Sequence, residues 1–384
     1  MINVKTTLGL LTLLIFQVLI TPVLAQEYYP ADTWEVKSPK ELDMDPQELQ
    51  KAVDFALANE YSGVNDLRIE ILKGFAREPY HEILGPVKDR GGASGLIIKN
   101  GYVVAKWGDP DRVDMTFSVT KSYLSTVAGL AWDAGLIEIN TPVKEYVWDG
   151  SFEGAHNAKI TWDHLLTQSS DWSGDLFGLY DWADRPPKEG GIDDWKNRIL
   201  LEPGTNFEYN DVRVNLLSYS LLQVWREPLP VILRDKIMDP IGASTTWRWY
   251  GYEHSYALVD GRKIQSVSGG GHSGGGLFIN SWDHARFGLL FLREGKWEDV
   301  QLISKEWIDK AKSPSTSNPN YGYMWWLNTN QDQFPDVHES TFHAAGFGGN
   351  YIFIDQENDL LIVARWLQPG KLGELAKQVL DSLK

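Results

Sequence analysis

Cysteine is absent from all 384 residues of the sequence. Its absence excludes disulfide bonds, thiolate metal sites, a cysteine nucleophile and lipid attachment through an N-terminal cysteine. The sequence also lacks the spacings His-x-His and His-Glu-x-x-His, and it contains no Gly-Lys-Ser or Gly-Lys-Thr. These spacings are typical of metal sites and of phosphate-binding loops. We therefore expect no metal ion and no cofactor.

Positive charge is scarce, because 36 Lys and Arg stand against 52 Asp and Glu, for a formal net charge of −16. Nucleic acids and anionic membrane surfaces attract basic patches, so neither is expected as a partner. With 43% hydrophobic residues the composition is that of a globular protein with a large core. Tryptophan is unusually common at 17 residues, and these side chains either fill the core or form an aromatic rim around a cleft.

The N-terminus carries the pattern of an export signal. Lys5 precedes the apolar run Leu8 to Ile20, and Val23-Leu24-Ala25 ends in the small residue that signal cleavage requires. The run is shorter than the roughly 20 residues of a membrane-spanning helix. We predict a signal peptide over residues 1–25 and a periplasmic or secreted mature chain without a membrane segment. An uncleaved anchor is the alternative.

Strand-like runs lie towards both ends of the chain. Residues 95–107 form two such runs around Asn100-Gly101, a strong hairpin signal. Four more runs lie between residues 321 and 366, and helical patterns dominate about 115–320. This distribution predicts an α+β fold in which an antiparallel sheet from the two terminal segments is flanked by helices, with a mostly helical insertion.

The same patterns divide the chain into segments. Residues 26–92 are predicted to hold a lead-in, a helix that opens at Asp45-Pro46, and a peripheral irregular insertion over 61–92. Residues 93–384 form the main domain, with a helical subdomain over about 140–315. A last helix is expected over 371–383.

The chemistry centres on Ser118 and Lys121, which precede an apolar helical run. Residues three apart on a helix lie on one face, about 5–6 Å apart at Cβ, so the two side chains can meet. A lysine with a lowered pKa can take the proton of a serine and turn it into a nucleophile. Two isolated residues at this spacing also arise by chance, and the motif alone does not decide the function.

Two later stretches accompany this pair: Pro203 to Asp211 before a helical pattern, and Phe342 to Asn350 before a strand. A Ser-x-x-Lys helix, a Tyr-x-Asn-like turn and a Gly-containing strand in this order resemble the serine β-lactamase and penicillin-binding-protein superfamily. The chain is most similar to its class C-like branch of esterases, amidases and 6-aminohexanoate-dimer hydrolases. Residues 160–170 and 274–287 add secondary landmarks. The resemblance covers roughly residues 90–370 and implies the β-lactamase-like fold.

The resemblance also implies the roles of individual residues. Ser118 would be the acylated nucleophile, Lys121 would help to take its proton, and Tyr209 would pass a proton to the leaving group. The backbone N–H groups of Ser118 and Phe347 would form the oxyanion hole. A buried tyrosine that anchors a helix start is the structural alternative for Tyr209.

The chain departs from the family pattern at two positions. Asp211 stands where the family has Asn, and it can pair with Lys121 and raise its pKa or can bind a substrate amine. The Lys-Thr-Gly strand of the family appears as Ala344-Ala345-Gly346, so the cation that holds a substrate carboxylate is missing. His343 is adjacent but points to the opposite face of a strand. These departures favour an esterase or amidase over a β-lactamase.

The substrate-binding surface is predicted from the same region of the sequence. Ala345 and Gly346 would contact the substrate, together with Asp211 and His343. Three aromatic residues in the loop between the motifs, Trp172, Tyr180 and Trp182, are candidates to line the acyl or leaving-group pocket. Packing in the core is the alternative for each of the three.

A competing nucleophile lies in Gly271-His272-Ser273-Gly274-Gly275, which has the Gly-x-Ser-x-Gly spacing of the α/β-hydrolase elbow. That elbow needs a strand that leads directly into a helix, whereas six glycines surround Ser273 here. We interpret the stretch as a Gly-rich loop beside the cleft.

The sequence thus predicts an exported serine hydrolase that cleaves small carboxylic esters or amides through a Ser118 acyl-enzyme. A catalytically silent binding protein of the same fold, or a β-lactamase or D,D-peptidase-type enzyme, is the alternative. The acyl group, the leaving group and the oligomeric state do not follow from the sequence.

Overall fold

The computed structural model describes residues 27–384, so the signal predicted for residues 1–25 lies outside the described residues. The helices are α1 Pro46–Ala58, α2 Leu67–Gly74, α3 Thr120–Asp133, α4 Trp162–Leu166, α5 Ile192–Lys196, α6 Asp211–Trp225, α7 Leu229–Leu233, α8 Ser281–Leu292, α9 Lys305–Ala311 and α10 Leu372–Leu380. None of the helices between residues 27 and 384 combines the length and the apolar character needed to cross a bilayer.

The strands are β1 Ser94–Lys99, β2 Tyr102–Trp107, β3 Asp114–Met115, β4 Asp175–Leu176, β5 Leu179–Tyr180, β6 Arg248–Val259, β7 Arg262–Val267, β8 Gly276–Ile279, β9 Lys296–Trp297, β10 Val300–Gln301, β11 Trp326–Leu327, β12 Phe342–Gly346, β13 Asn350–Asp355 and β14 Leu360–Arg365. Six of them form one antiparallel sheet in the order β11-β12-β13-β14-β1-β2.

This sheet joins the two ends of the chain, as the sequence predicts. β1 pairs with β14 from Ser94 opposite Arg365 to Lys99 opposite Leu360. The β1–β2 turn is made by Asn100 and Gly101, which have φ angles of 53° and 84°. Only residues that tolerate the left-handed region suit such a turn, which explains the hairpin signal. The α+β layout of the sequence analysis is therefore confirmed.

The part of the chain between the two ends also holds a sheet that the sequence analysis does not predict. β3, β8, β6 and β7 pair in this order, and β6 runs for 12 residues. Asp260 and Gly261 turn the chain between β6 and β7 with φ angles of 50° and 75°. The predicted irregular stretch 61–92 likewise contains α2, whose N-terminus is capped by the Asp66 carboxylate.

Two hydrophobic clusters cover the two faces of the six-stranded sheet. Alternate residues of β13 belong to different clusters, because Ile352 and Ile354 lie in the larger one and Phe353 in the smaller one. This alternation is the two-residue period of a strand. The larger cluster includes residues of α3, α6 and α8, and the smaller one includes residues of α1 and α10. The face that carries α3 is the one beside Ser118.

A buried arginine connects the two sheets. Arg365 of β14 donates to Asn350 Oδ1 at 2.6 Å, to the Ile279 carbonyl at 2.9 Å and to the Met115 carbonyl at 3.1 Å. Burial lowers the pKa of Arg365 to about 10, so the guanidinium remains charged at neutral pH. Because Met115 lies three residues before Ser118, this contact fixes the approach to the start of α3.

We expect Arg365→Met to destabilise the protein by about 3 kcal/mol, because the buried acceptors of Asn350, Ile279 and Met115 lose their donor. Denaturant unfolding measures this change. Arg68→Met is the matched control, since that side chain is 63% exposed and its side-chain bonds go to Asp66 alone. The control should shift stability by no more than about 0.5 kcal/mol. Equal unfolding midpoints for both variants would refute the role given to Arg365.

Candidate active site

Ser118 lies in a short 3-10 turn, Phe117–Val119, that leads directly into α3. It is half-exposed, whereas Phe117 and Val119 on either side are buried. Phe117 has a φ angle of 50°, which is rare for a bulky residue. Its ring packs against Phe347 and Trp366, at centroid distances of 5.1 and 6.4 Å. These contacts hold a strained turn that presents the Ser118 hydroxyl at the surface of the cleft.

Lys121 lies on the first turn of α3 and contacts two groups at once. Its Nζ is 2.8 Å from Ser118 Oγ and 2.6 Å from Asp211 Oδ1. The side chain is only 1% exposed. Burial by itself lowers the pKa of Lys121, but the Asp211 carboxylate outweighs this effect and leaves the pKa above its ordinary value. Lys121 is therefore an ammonium group in the resting site.

Asp211 is the first residue of α6 and accepts from two cations. Oδ1 accepts from Lys121, and Oδ2 accepts from Arg185 Nη2 at 2.6 Å. Burial favours the neutral acid, but the charges of Lys121 and Arg185 hold the pKa of Asp211 well below its usual range. The departure from the family's Asn thus creates a buried ion pair with the predicted base.

Arg185 is a site residue that the sequence analysis missed. Its guanidinium lies between the rings of Phe75 and Tyr209, at 5.4 and 5.3 Å, and also contacts Asp184 Oδ1 at 2.5 Å. Its backbone has a φ angle of 47°. It lies in an irregular loop without helical or strand periodicity, so no pattern pointed to it. The only signal was its position in the aromatic-rich loop between two motifs.

His272 and Glu78 extend the charged cluster beyond Asp211. His272 Nε2 lies 2.5 Å from Glu78 Oε2, and its Nδ1 lies 3.3 Å from Asp211 Oδ2. Burial lowers the pKa of His272, but Asp184, Asp211 and Glu78 outweigh burial and raise it to about 9. Glu78 belongs to the stretch 61–92 that the sequence analysis described as peripheral. Neither residue was predicted as part of the site.

Ser273 does not have the geometry of a nucleophile elbow. It is 3% exposed and lies in the loop between β7 and β8, so a strand follows it and not a helix. Its carbonyl accepts from the N–H groups of Leu84 and Gly85 at 2.8 and 3.0 Å. The Gly-rich loop of Ser273 instead packs against the Lys121–Asp211 pair through Gly270. A Cβ atom at Gly270 would lie 2.0 Å from Asp211 Oδ1.

Tyr209 lies beside Lys121, as the resemblance implies. The Lys121 Nζ is 4.6 Å from the centroid of the Tyr209 ring, and the ring stacks on Trp326 at 5.9 Å. Within residues 27–384, no hydrogen bond joins the Tyr209 hydroxyl to Ser118 or Lys121. The structure thus brings the phenol to the site through its ring face, and its role as proton carrier stays a prediction.

The end of β12 runs against the backbone of Ser118. A Cβ atom at Gly346 would lie 2.2 Å from the Thr116 carbonyl and 3.3 Å from the Ser118 nitrogen, so only glycine fits there. Ala345, Gly346 and Phe347 are half-exposed, whereas the residues before and after them are buried. The predicted oxyanion hole of Ser118 and Phe347 and the predicted contacts of Ala345 and Gly346 lie at this opening. Both roles stay predictions.

His343 and Trp172 are not brought to the cleft, which corrects two predicted substrate contacts. His343 packs its ring against Phe334 at 5.1 Å, in the cluster on the face of β12 opposite to Gly346. Burial lowers the pKa of His343 to about 3, so it cannot supply the missing cation. Trp172 is 2% exposed and donates from Nε1 to the Ser151 carbonyl at 2.7 Å. Both side chains are buried, and for Trp172 this is the packing alternative that the sequence left open.

Tyr180 and Trp182 occupy a different position, at the rim of a pocket beside Asp211 and His272. The two rings stack at 5.3 Å, and Tyr80 meets Trp182 edge-on at 6.4 Å. Tyr80 is 65% exposed and Tyr180 is 39% exposed. The pocket walls include both tyrosines, together with Leu179, Ala183 and Val212. Trp182 thus lies at an aromatic rim, whereas the core alternative holds for tryptophans that are fully buried: Trp162, Trp172, Trp307, Trp325 and Trp366.

Two groups of side chains bring three possible metal-ligand atoms within 4.8 Å of one another: Glu78, His81 and His272, and Asp184, Asp211 and His272. In the second group these atoms pair with each other or with Lys121 and Arg185, and in the first group Glu78 pairs with His272 while His81 Nε2 donates to the His272 carbonyl. Two fixed cations beside them would repel a divalent ion. We therefore assign both groups to one ion-pair network.

Comparisons with known proteins agree with this architecture. The family model described as Beta-lactamase matches residues 82–374. The 6-aminohexanoate-dimer hydrolase of Paenarthrobacter ureafaciens is 21% identical over 71% of this chain and 72% of that protein. A putative D-alanyl-D-alanine carboxypeptidase of Escherichia coli O157:H7 is 25% identical over 43% of this chain. The chain spans less than half of that relative, 46% of its length.

Solved structures share the fold at low sequence identity. A putative beta-lactamase from Bacteroides dorei DSM 17855 aligns with a TM-score of 0.59 and 13% identity, over 88% of this chain and 99% of that chain. EstCE1, a hydrolase with promiscuous acyltransferase activity, aligns with a TM-score of 0.58 and 16% identity, over 88% and 98% of the two chains. At this identity the likeness establishes the fold alone.

We expect Gly270→Ala to lower kcat by about 10²-fold, because the added methyl group displaces the Lys121–Asp211 pair from Ser118. Steady-state kinetics on an ester substrate measures the loss. Gly191→Ala is the matched control, since Gly191 has a φ angle of −140° and no atom within 4 Å of an added Cβ. The control should retain full activity. An unchanged kcat in Gly270→Ala would mean that the position of the pair does not limit the reaction.

Proposed function

The chain belongs to the beta-lactamase family of serine hydrolases, and on this basis we propose that it cleaves small carboxylic esters or amides through an acyl-enzyme on Ser118. The observation that carries the proposal is the contact of 2.8 Å between Lys121 Nζ and Ser118 Oγ at the open end of the cleft. A serine needs an adjacent base to become a nucleophile, and Lys121 is the group within reach.

The proposed reaction has two halves. In the first, Ser118 Oγ attacks the carbonyl carbon while its proton passes to Lys121, which must first have lost a proton to solvent. The N–H groups of Ser118 and Phe347 bind the resulting oxyanion. Collapse of the intermediate breaks the bond to the leaving group, which receives the proton through Lys121 or Tyr209. In the second half, water attacks the acyl-enzyme, releases the acid and restores the Ser118 hydroxyl.

The proposed substrates are neutral near the scissile bond. Ala344 is 1% exposed and packs in the larger core cluster, so it contributes no cation for a substrate carboxylate. Lys121 and Arg185 are the cations of the site, but Lys121 is paired with Asp211, and Arg185 is paired with Asp184 and Asp211. An uncompensated carboxylate would therefore be costly to bind. The name of the 6-aminohexanoate-dimer hydrolase agrees with amide substrates, whereas the D-alanyl-D-alanine carboxypeptidase relative supports the D,D-peptidase alternative.

We also propose that residues 1–25 direct export of the chain. Export through residues 1–25 predicts a mature N-terminus at residue 26 in protein recovered from the periplasm or the medium, which intact mass spectrometry measures.

A silent binding protein is the alternative to catalysis, because the Asp211 carboxylate favours the protonated form of Lys121.

We expect a fluorophosphonate probe to label Ser118, and Ser118→Ala to lose both labelling and ester hydrolysis. Peptide mass spectrometry locates the label. Ser273→Ala is the control, and its labelling should equal that of the unmodified protein. Label on Ser273 would restore the elbow hypothesis, and no label at any pH up to 10 would favour the silent binding protein.

We expect Lys121→Ala and Tyr209→Phe each to lower kcat by at least about 10²-fold, the usual effect of losing a general acid–base group. The double variant should lose little more than the stronger single variant, because groups that act as a unit are not additive. Tyr256→Phe is the control, since Tyr256 lies on β6 and is 39% exposed, and its kcat should equal that of the unmodified protein. Multiplicative losses would place one of the two residues outside the proton path.

A further inference from the structure

A continuous line of contacts leads from the nucleophile to the pocket behind it. Lys121 joins Ser118 to Asp211 Oδ1, and Asp211 Oδ2 faces His272 Nδ1 at 3.3 Å. His272 Nε2 meets Glu78 Oε2 at 2.5 Å. The side chains of Glu78 and His272 are 6% and 7% exposed, so this outer pair is buried with the rest. The proposed hydrolysis uses only the inner half of the line.

Every charged group that faces His272 can be named. Glu78 and Asp211 contact its ring nitrogens, and Asp184 Oδ1 lies 3.9 Å from Nε2. Arg185 Nη2 lies 3.2 Å from Nδ1. Of the remaining neighbours, His81 donates from Nε2 to the His272 carbonyl at 3.3 Å. Three carboxylates thus face the imidazole against one guanidinium.

Charge balance indicates which form His272 takes. The three carboxylates of Glu78, Asp184 and Asp211 are matched in number by Lys121, Arg185 and an imidazolium at His272. A neutral His272 would leave this buried cluster with one excess negative charge, which is costly in a medium of low dielectric constant. The cationic form removes that excess.

In the proposed reaction Lys121 must release a proton to become a base, but the carboxylate of its partner Asp211 opposes the release. A carboxylate that also binds cations through its second oxygen attracts the first cation less. We propose that His272, held by Glu78, is a positioning residue that binds the second oxygen of Asp211 and so weakens the attraction of this carboxylate for the Lys121 ammonium. The inference rests on the proposed roles of Ser118 and Lys121.

The sign of the pH dependence follows from the raised pKa of His272, about 9. Below pH 9 the imidazolium is present and assists the loss of the Lys121 proton. Above pH 9 the imidazole is neutral, and this assistance is lost. Arg185 keeps its charge throughout and does not contribute a change in this range.

The test compares the unmodified protein with His272→Asn in the hydrolysis of p-nitrophenyl butyrate from pH 6 to 10.5, with Ser118→Ala subtracted as the blank. We expect kcat/KM of His272→Asn to be about tenfold lower at pH 7, since a nearby unit charge shifts a pKa by one unit or more. The kcat/KM profiles of the two proteins should converge to within about twofold above pH 9, where the imidazole of His272 is neutral like the amide that replaces it.

Two further variants sharpen the test. In Glu78→Gln the pKa of His272 falls, because Glu78 helps to raise it, and convergence with His272→Asn should begin at a lower pH. His81→Asn is the matched control, since its ring faces the same pocket but does not contact Asp211. The kcat/KM profile of His81→Asn should still change slope near pH 9, as in the unmodified protein. An NMR titration of the His272 imidazole in the unmodified protein should give a pKa near 9, and it does not depend on the folding of any variant.

Two results would overturn the inference. A loss in His272→Asn that is equal at every pH would make His272 a structural residue, and an imidazole that titrates below pH 7 would remove its charge from the active range. The proposed function fails separately, if Ser118→Ala retains the activity of the unmodified protein.

Discussion

The ion pair between Lys121 and Asp211 is the interaction on which the rest of the site depends. The two groups are 2.6 Å apart and only 1% and 3% exposed. A buried pair is tolerated only when further partners satisfy both charges, and loss of one partner leaves an uncompensated charge. The surroundings meet this requirement. Ser118 takes the second contact of the ammonium, Arg185 takes the second oxygen of the carboxylate, and Gly270 lets a loop close over both without a side chain.

This requirement also explains why distant segments converge here. The start of α3 contributes Ser118 and Lys121, the start of α6 contributes Asp211, and three loops contribute Glu78, Arg185 and His272. The Asp184 carboxylate accepts from the free N–H groups of Asp211 and Val212 at the beginning of α6. Such groups are unsatisfied at any helix start and favour a negative charge. The charged side chains of these loops therefore also hold the loops in place, so that the fold and the site stabilise each other.

The features of the fold and site that depend on local residue spacing could be predicted from the sequence. The site residues that depend on contacts between loops could not. Ser118 and Lys121 meet because of helical periodicity, and Asn100-Gly101 forms its turn because of backbone sterics, so both were accessible. The turn between β6 and β7 has a comparable sequence signal in Asp260-Gly261, although no strands are predicted there. Arg185, Glu78 and His272 had no such signal, because their partners lie far away in the chain. His343 and Trp172 were misplaced because sequence alone does not distinguish an aromatic ring at a cleft from one in the core.

Glu78 lies four residues before the segment 82–374 that the family model matches. The outer end of the charged line is therefore supplied by a segment that precedes the matched residues. A relative without this segment would have no carboxylate to hold an imidazolium at the position of His272, and a histidine there would bring no advantage. The two positions should consequently change together during evolution, with an acidic residue and a histidine gained or lost as a pair.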